Sequence, residues 1–455
     1  MRVRFQPFDP AFLQDPYTTY AELREHSPVH RVRISPLALF GLVRRVARMR
    51  RAAGEPGLLR TAWQMRQTRR AGAPNDASDA SATRPGSSRG PLRRRFYALS
   101  RHTDVSYVLR HPEIFSSRAM GGDVGRPAGA EPAPTDGSLI GLDPPEHTGH
   151  RAIVNRGFTP RRIAELEPRI RKLADELAAG FELRGQCDLV SAFTNPLPVG
   201  VIAELLGLDA ARRDDFQRWS NALIIGSTQA GAGPNLELFR EFRSYMSSVA
   251  EERRCEPGKD LISLLVHAQE EEGTLDPGQV VGFASLLLAA GSETTTNLMG
   301  NALLALQANP EQAARVRDDP SRIPDLLEET LRFDSPVQLL MRVTECETEL
   351  AGVSLPEGAM VFVLLGAANR DERVFENPNR FDLDRPTQGH LAFGLGNHFC
   401  LGASLARLEA QIGLETILTR YPDWRITAPG RVERHGSFLV RGPVELPLAF
   451  TPPGR

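Results

Sequence analysis

The chain has 455 residues, of which 41% are hydrophobic and 24% charged, so it contains enough apolar material for a core that encloses a cofactor. Its formal net charge of −1 gives no electrostatic reason to expect nucleic acid as a partner. No apolar run approaches the ~18 residues that span a bilayer, and no two of the four cysteines form a C-x-x-C pair, which disfavours a disulfide framework and predicts a cytoplasmic protein in a reducing compartment.

Hydrophobic periodicity along the chain predicts a mainly α fold with small β-sheets. Strands are expected at Val29–Ile34, Phe96–Leu99, Val361–Leu365 and Phe438–Val440. Helices are expected at Thr103–Arg110, Ile163–Leu177, Val199–Leu206, Asp214–Leu223, Leu236–Glu252, Pro277 to about Ala308, Pro324–Phe333 and from near Leu401 onwards. The Gly- and Pro-rich stretch Met120–Gly137 is expected to be a long loop.

An arginine-rich segment separates the first two predicted strands. From Ser35 to Arg95 it contains fourteen arginines and three acidic residues. Its first part has helical spacing of apolar residues, whereas Ala71–Pro91 is rich in Ser, Asp, Gly and Pro. Two interpretations are open: a solvated, partly disordered insertion, or a basic amphipathic arm that binds an anionic membrane surface or an acidic partner protein.

The most informative stretch is HLAFGLGNHFCLGASLAR, from His390 to Arg407. A glycine-rich loop leads into Cys400, and a predicted helix follows. A thiolate at a helix N-terminus is stabilised by free backbone N–H groups and by the helix dipole, which suits a metal ligand. Phe393 can pack over the sulfur and exclude water, and Gly402 leaves room for a flat macrocycle close to the backbone.

Other interpretations of this loop fit less well. A zinc site built from Cys400, His398 and His390 lacks a fourth ligand and the usual cysteine pairing. The glycines at 394 and 396 lack the third glycine of a dinucleotide-binding loop. A buried structural cysteine is the remaining alternative.

The loop resembles the haem-binding signature of cytochrome P450, F-x-x-G-x-x-x-C-x-G, whose defined positions are filled by Phe393, Gly396, Cys400 and Gly402. The resemblance implies the P450 fold, with haem b buried between the long central helix and the helix that follows the cysteine loop, and with Cys400 as its axial ligand. It covers residues 1–35 and 96–455. We therefore expect a single haem-thiolate domain over 1–455, interrupted by an atypical insertion at about 36–95.

Two further segments resemble motifs of the same family. Glu329 and Arg332 share one helix face and match its E-x-x-R, which implies a structural pair locked by a later arginine, expected in Asn369-Arg370-Asp371 or Asn379-Arg380-Phe381. In the long helix, Ala290 to Thr295 matches A-G-x-(D/E)-T-T. The resemblance implies that Ala290 lies against the haem, that Thr294 hydrogen-bonds bound dioxygen, and that Glu293 feeds protons through water.

Four cationic or donor side chains complete the expected haem site. His147 and Arg151 are one helical turn apart and resemble the family's H-x-x-x-R. By the same resemblance they would bind the haem propionates together with Arg342 and His390, and Arg is suited to bidentate carboxylate binding. His398 is interpreted as structural.

The resemblance implies a monooxygenase that inserts one oxygen atom from O2 into a medium or large lipophilic substrate, such as a terpenoid, steroid, fatty acid or polyketide product. Two electrons are expected to come from NAD(P)H through a ferredoxin and a ferredoxin reductase, since no flavin or nicotinamide loop is evident. Two alternatives remain: a peroxide-using thiolate-haem enzyme, and a non-enzymatic haem carrier or sensor.

Overall fold

The structure is a computed structural model that describes residues 3–32, 95–121, 138–228, 236–272 and 277–452. Helices α1 to α14 lie at Pro10–Gln14, Tyr17–His26, His102–Arg110, Glu146–Asn155, Pro160–Ala179, Pro196–Leu205, Arg213–Thr228, Leu236–Cys255, Leu261–Glu272, Pro277–Ala308, Pro310–Asp318, Ile323–Phe333, Leu365–Ala368 and Ala403–Arg420. Strands β1 to β10 lie at Val29–Val32, Phe96–Leu99, Phe115–Ser116, Gln186–Asp188, Leu340–Thr344, Thr348–Leu350, Val353–Leu355, Met360–Val363, Arg425–Ile426 and Pro447–Ala449.

Within the described residues, three small sheets accompany the helices. The largest has the strand order β1-β2-β8-β5-β3, the second β4-β10-β9, and the third β6-β7. β1 and β2 pair antiparallel with Val32 opposite Phe96. The two strands that flank the arginine-rich segment are therefore direct neighbours. That segment and the predicted loop after Gly121 lie outside the described residues.

The long helix α10 occupies the centre of the helical part. Helices that are apolar on all sides are typical of buried positions, and Leu288, Leu298, Met299 and Leu303 of α10 are almost completely buried. α10 packs against α6, α12 and α14. The helix that follows the cysteine loop thus lies beside the central helix, as predicted. No helix in the described part of the chain is both long and apolar enough to cross a bilayer.

Two strand predictions need correction. The strand at Val361–Leu365 ends at Val363, because Leu365 begins the short helix α13, whose four residues are all buried. Phe438–Val440 is not a strand: Val440 makes only an isolated bridge to Val337. The Ser437 side chain accepts hydrogen bonds from the amides of Leu439 and Val440, and such local bonds compete with a sheet ladder.

Candidate active site

The cysteine loop is a tight turn that ends just before α14. Cys400 N donates to Phe393 O at 2.8 Å, and α14 begins at Ala403, three residues after the cysteine. Gly396 has φ +72°, and a Cβ at this position would lie 2.5 Å from Leu109 O. Only glycine fits there, since both the backbone conformation and the close approach exclude a side chain. Burial raises the pKa of Cys400, whereas the Gly402 amide and the charges of Arg151 and Arg407 lower it.

A cavity lies between this loop and the central helix. Its empty volume is about 1470 Å³, including open solvent at its mouth. Seven of the predicted site residues line it, namely Cys400, Phe393, Gly402, Ala290, Thr294, Arg151 and Arg342. A Cβ built on Gly402 would meet no atom within 4 Å. The residue types at this wall therefore leave space for a flat group next to the cysteine loop.

One end of the cavity is cationic. Arg342 is 3% exposed, and the only hydrogen bond of its side chain among the described residues is to Met341 O at 2.9 Å. Burial lowers its pKa to about 10. Arg151 donates to Phe399 O at 2.7 Å and to Asn155. The charge of Asp143 offsets only part of the effect of burial on Arg342. Buried cations without an ion-pair partner are costly, so this end fits a group that carries carboxylates, as haem does.

His147 does not itself line the cavity but packs behind the cationic end, against His398. Its Nε2 atom is buried and has no hydrogen-bond partner among the described residues. Burial and the charge of Arg151 lower the pKa of His147 to about 4, so the ring is neutral at pH 7. Its ring centroid is 4.2 Å from that of His398. His147 thus presents an unsatisfied donor or acceptor where the haem edge is expected.

The structure does not place His390 at the cavity, which corrects the prediction that it binds a propionate. Its Nε2 atom lies 3.1 Å from Glu328 Oε2, and its Nδ1 accepts from Ala392 N at 3.2 Å. Both ring nitrogens are therefore engaged elsewhere. His398 lines the cavity instead, with Nε2 donating to Leu142 O at 3.0 Å. The available signal was its position two residues before Cys400, inside the loop itself.

The polar residues of α10 take up different positions. Thr294 lines the cavity, and its hydroxyl donates to Ala290 O at 2.7 Å. Glu293 is 6% exposed and does not line the cavity. Its Oε1 atom has no partner among the described residues, and burial raises its pKa to about 8. A carboxyl group in this state holds its proton at neutral pH.

A second buried carboxyl group was not anticipated. Glu409 of α14 lines the cavity and is 2% exposed. Its Oε2 atom has no partner among the described residues, and burial raises its pKa well above the ordinary value. Nothing in the local sequence distinguishes it from an exposed helix glutamate. Its burial follows from the packing of α14 onto the cavity.

The predicted ion pair is present, but its third member differs from both candidates. Glu329 and Arg332 are bound bidentately at 2.7 and 2.8 Å. Arg385 contacts Glu329 Oε1 at 3.3 Å. The two segments proposed for a third arginine do reach Arg332, yet they do so through the backbone carbonyls of Asn369 and Arg380. The folded-back loop brings the Arg385 side chain to the pair instead.

A central helix and a cysteine loop that enclose a cavity with a cationic end define the architecture of a haem-thiolate enzyme. The chain belongs to the cytochrome P450 family, whose members bind haem through a cysteine thiolate and use O2 as monooxygenases. This confirms the fold and the enzyme class that the sequence predicts.

The comparisons with known proteins agree on this family. The cytochrome P450 family model matches residues 236–427. Cytochrome P450 107B1 of Saccharopolyspora erythraea is 41% identical over 77% of this chain and 88% of its own length. Erythromycin C-12 hydroxylase of the same organism is 39% identical over 76% of this chain and 87% of its own length. The structure of cytochrome P450 CYP109Q5 from Chondromyces apiculatus has a TM-score of 0.79 and 36% identity, with 100% of both chains covered.

Proposed function

We propose that this monooxygenase inserts one oxygen atom from O2 into a medium or large neutral or weakly polar lipophilic molecule. The observation that carries the proposal is the apolar wall of the cavity beside Cys400. Away from the cationic end, the wall includes Met120, Phe283, Leu287 and Val337. Pockets of this kind bind ligands mainly by burying apolar surface. The similarity to an erythromycin C-12 hydroxylase supports a bulky natural product as the substrate.

The haem would be held by residues from four parts of the chain. Cys400 would supply the axial thiolate, and Phe393, Gly402 and Ala290 would contact the macrocycle. The propionates would bind at the cationic end, which is lined by Arg342, Arg151 and His398, with His147 packed behind His398. When bound, the haem supplies the activation of O2, and thiolate ligation favours O–O cleavage.

Proton delivery is assigned to α10. Thr294 reaches the cavity surface, and its hydroxyl can turn from Ala290 O towards a bound ligand. Glu293 retains a proton up to about pH 8 because it is buried. Glu293 is proposed to hold this proton, and Thr294 to orient the groups that receive it. The apolar wall limits bulk water, so that protons arrive by this route.

The two electrons are proposed to come from NAD(P)H through a ferredoxin and its reductase, because the chain contains no recognisable flavin or nicotinamide loop.

The proposal also treats the chain as one haem-thiolate domain with an insertion at about 36–95. The direct pairing of β1 with β2 supports this view, since the strands on either side of the insertion are adjacent. The more specific hypothesis for the insertion is a basic arm that binds an anionic membrane surface or an acidic protein. Unchanged liposome binding and unchanged turnover after deletion of residues 36–95 would exclude this hypothesis.

The first experiment is the absorption spectrum of the purified, reduced protein with and without carbon monoxide. A strongly red-shifted Soret band is expected for thiolate ligation. A band at the ordinary histidine-haem position in haem-replete protein would refute the assignment of Cys400. Product formation that depends on ferredoxin, reductase and NAD(P)H then separates the monooxygenase from a peroxide-using enzyme and from a haem carrier. Turnover with peroxide alone would favour the peroxide-using enzyme.

A further inference from the structure

A group of three charged or polar side chains lies next to the cysteine loop but outside the cavity lining. Glu328 of α12 accepts two hydrogen bonds from Arg407 of α14, from Nε at 2.5 Å and from Nη2 at 2.9 Å. The same carboxylate lies 3.1 Å from His390 Nε2. The guanidinium carbon of Arg407 is 4.4 Å from the centroid of the Phe393 ring. The positive charge is thus held at one place on that ring.

Phe393 links this charge to Cys400. Its carbonyl oxygen accepts from Cys400 N at 2.8 Å, so the ring and the cysteine belong to the same turn. The Arg407 guanidinium therefore lies over the ring of the residue that closes the turn around Cys400, which places a fixed positive charge close to that turn. A bidentate guanidinium–carboxylate pair is geometrically specific. Glu328 therefore restrains the guanidinium in a way that a single hydrogen bond does not.

Glu328 is charged at neutral pH in spite of being largely buried. Burial raises its pKa, but hydrogen bonds and charges from Arg407 and His390 outweigh this effect and lower the pKa to about 2. Its side chain is 28% exposed and that of Arg407 38% exposed. The pair is accordingly only partly screened by water, and its charges act on nearby groups.

We propose that Glu328 and His390 are positioning residues that hold the Arg407 guanidinium against Phe393, where its positive charge favours addition of an electron to the haem ligated by Cys400. The inference rests on the proposed function, because it requires thiolate-bound haem. It gives His390 a role different from propionate binding. It also explains why an arginine at the surface is tied to two partners on different elements.

The test is the midpoint reduction potential of the haem in the full-length holoprotein. Arg407→Gln is expected to shift it to a more negative value, because a cation near the thiolate is lost. Arg407→Lys is expected to recover part of the shift, since an ammonium group keeps the charge without the two parallel bonds or the stacking. Arg420→Gln is the matched control: Arg420 is the last residue of the same helix and pairs with Glu182 at 2.6 Å. It is expected to leave the potential unchanged.

Glu328→Gln separates positioning from a simple charge effect by the sign of the shift. Loss of the negative charge alone would raise the potential, whereas release of Arg407 lowers it. A lower potential therefore supports the proposal, and a higher one overturns the positioning role. An unchanged potential in Arg407→Gln, with slower reduction by added ferredoxin, would also overturn it and assign Arg407 to partner contact. The unmodified protein is first required to show the red-shifted carbon monoxide band; its absence would be a failure of the proposed function instead.

Discussion

Glu329 and Arg332 form a bidentate ion pair in which neither side chain has any solvent exposure. The pair joins α12 to the loop that precedes the cysteine turn, because Arg332 also donates to backbone carbonyls of that loop and Arg385 contacts Glu329 from it. A buried ion pair of this kind contributes little net stability when intact. Breaking it leaves an uncompensated charge in the core, which is strongly destabilising.

Glu329→Gln is expected to lower the free energy of unfolding by about 3–5 kcal/mol, because Arg332 stays buried without its counter-ion. Urea unfolding followed by far-UV circular dichroism measures this loss. The control is Glu165→Gln, which breaks the ion pair between Glu165 and Arg161. The side chain of Glu165 is 61% exposed and that of Arg161 is 90% exposed. Exposed pairs contribute about 0–1 kcal/mol, and a similar loss in both variants would contradict the importance of burial.

Arg342→Met is expected to have opposite effects on stability and on haem retention. In the haem-free protein it removes a buried cation that forms no ion pair within the described part of the chain, which should stabilise the fold by about 1–3 kcal/mol. In the holoprotein it removes a propionate ligand, so transfer of haem to an acceptor protein should be faster. Thermal unfolding of the haem-free form and haem-transfer kinetics measure the two effects.

The matched control for this variant is Arg24→Met. Arg24 is also buried, at 2% exposure, but it is bound to Glu372 at 3.1 Å and to Ala367 O at 3.0 Å. Its replacement is expected to destabilise the protein and to leave the rate of haem transfer unchanged. If both arginines behaved alike, the cationic end of the cavity would not be a carboxylate site.

Glu293→Gln is expected to change how stability depends on pH. The unfolded chain loses the Glu293 proton near pH 4.5, whereas burial keeps it in the folded protein up to about pH 8. In this range the folded state binds more protons than the unfolded state, so rising pH destabilises it by about 1.4 kcal/mol per pH unit. Glutamine does not titrate. The variant should therefore become progressively more stable than the unmodified protein as the pH rises, until the difference levels off above about pH 8.

Urea unfolding midpoints over this pH range measure the difference. Glu176→Gln on the surface of α5 serves as the control, because its side chain is 52% exposed, and its difference from the unmodified protein should stay constant. A constant difference for Glu293→Gln as well would mean that Glu293 titrates like an exposed carboxyl group. Its proposed role as a proton reservoir would then lose its physical basis.

Thr294→Ala is expected to keep reductant consumption but to divert it to peroxide, because the hydroxyl that orients proton delivery at the cavity is lost. The ratio of product to NAD(P)H consumed, measured together with peroxide, reports this uncoupling. Thr416→Ala is the control, since Thr416 makes the same type of bond to the carbonyl four residues earlier, Ile412 O at 2.8 Å, and does not line the cavity. Tight coupling in Thr294→Ala would count against the assigned role.

The parts of this protein that depend only on neighbouring residues can be predicted from the amino-acid sequence. All eight predicted helices and three of the four predicted strands are present, because hydrophobic periodicity is a local property. Six further helices and seven further strands in the described residues were not predicted. The cysteine turn is equally local: the glycines at 394 and 396 have φ values of +71° and +72°, and the spacing of Phe393 and Cys400 sets the hydrogen bond that closes the turn. Motifs of this type can be recognised without any knowledge of the rest of the fold.

Contacts between side chains that are far apart in the sequence become visible only in the folded protein. One histidine precedes the motif and one lies inside it, but the loop turns His398 to the cavity and leaves His390 with Glu328, 62 residues away. In the same way Arg385, rather than an arginine of the two candidate segments, reaches Glu329 across 56 residues. Glu409 becomes a buried carboxyl group with a raised pKa only because α14 packs against the cavity. Such outcomes depend on long-range packing and burial, which no local spacing of residues encodes.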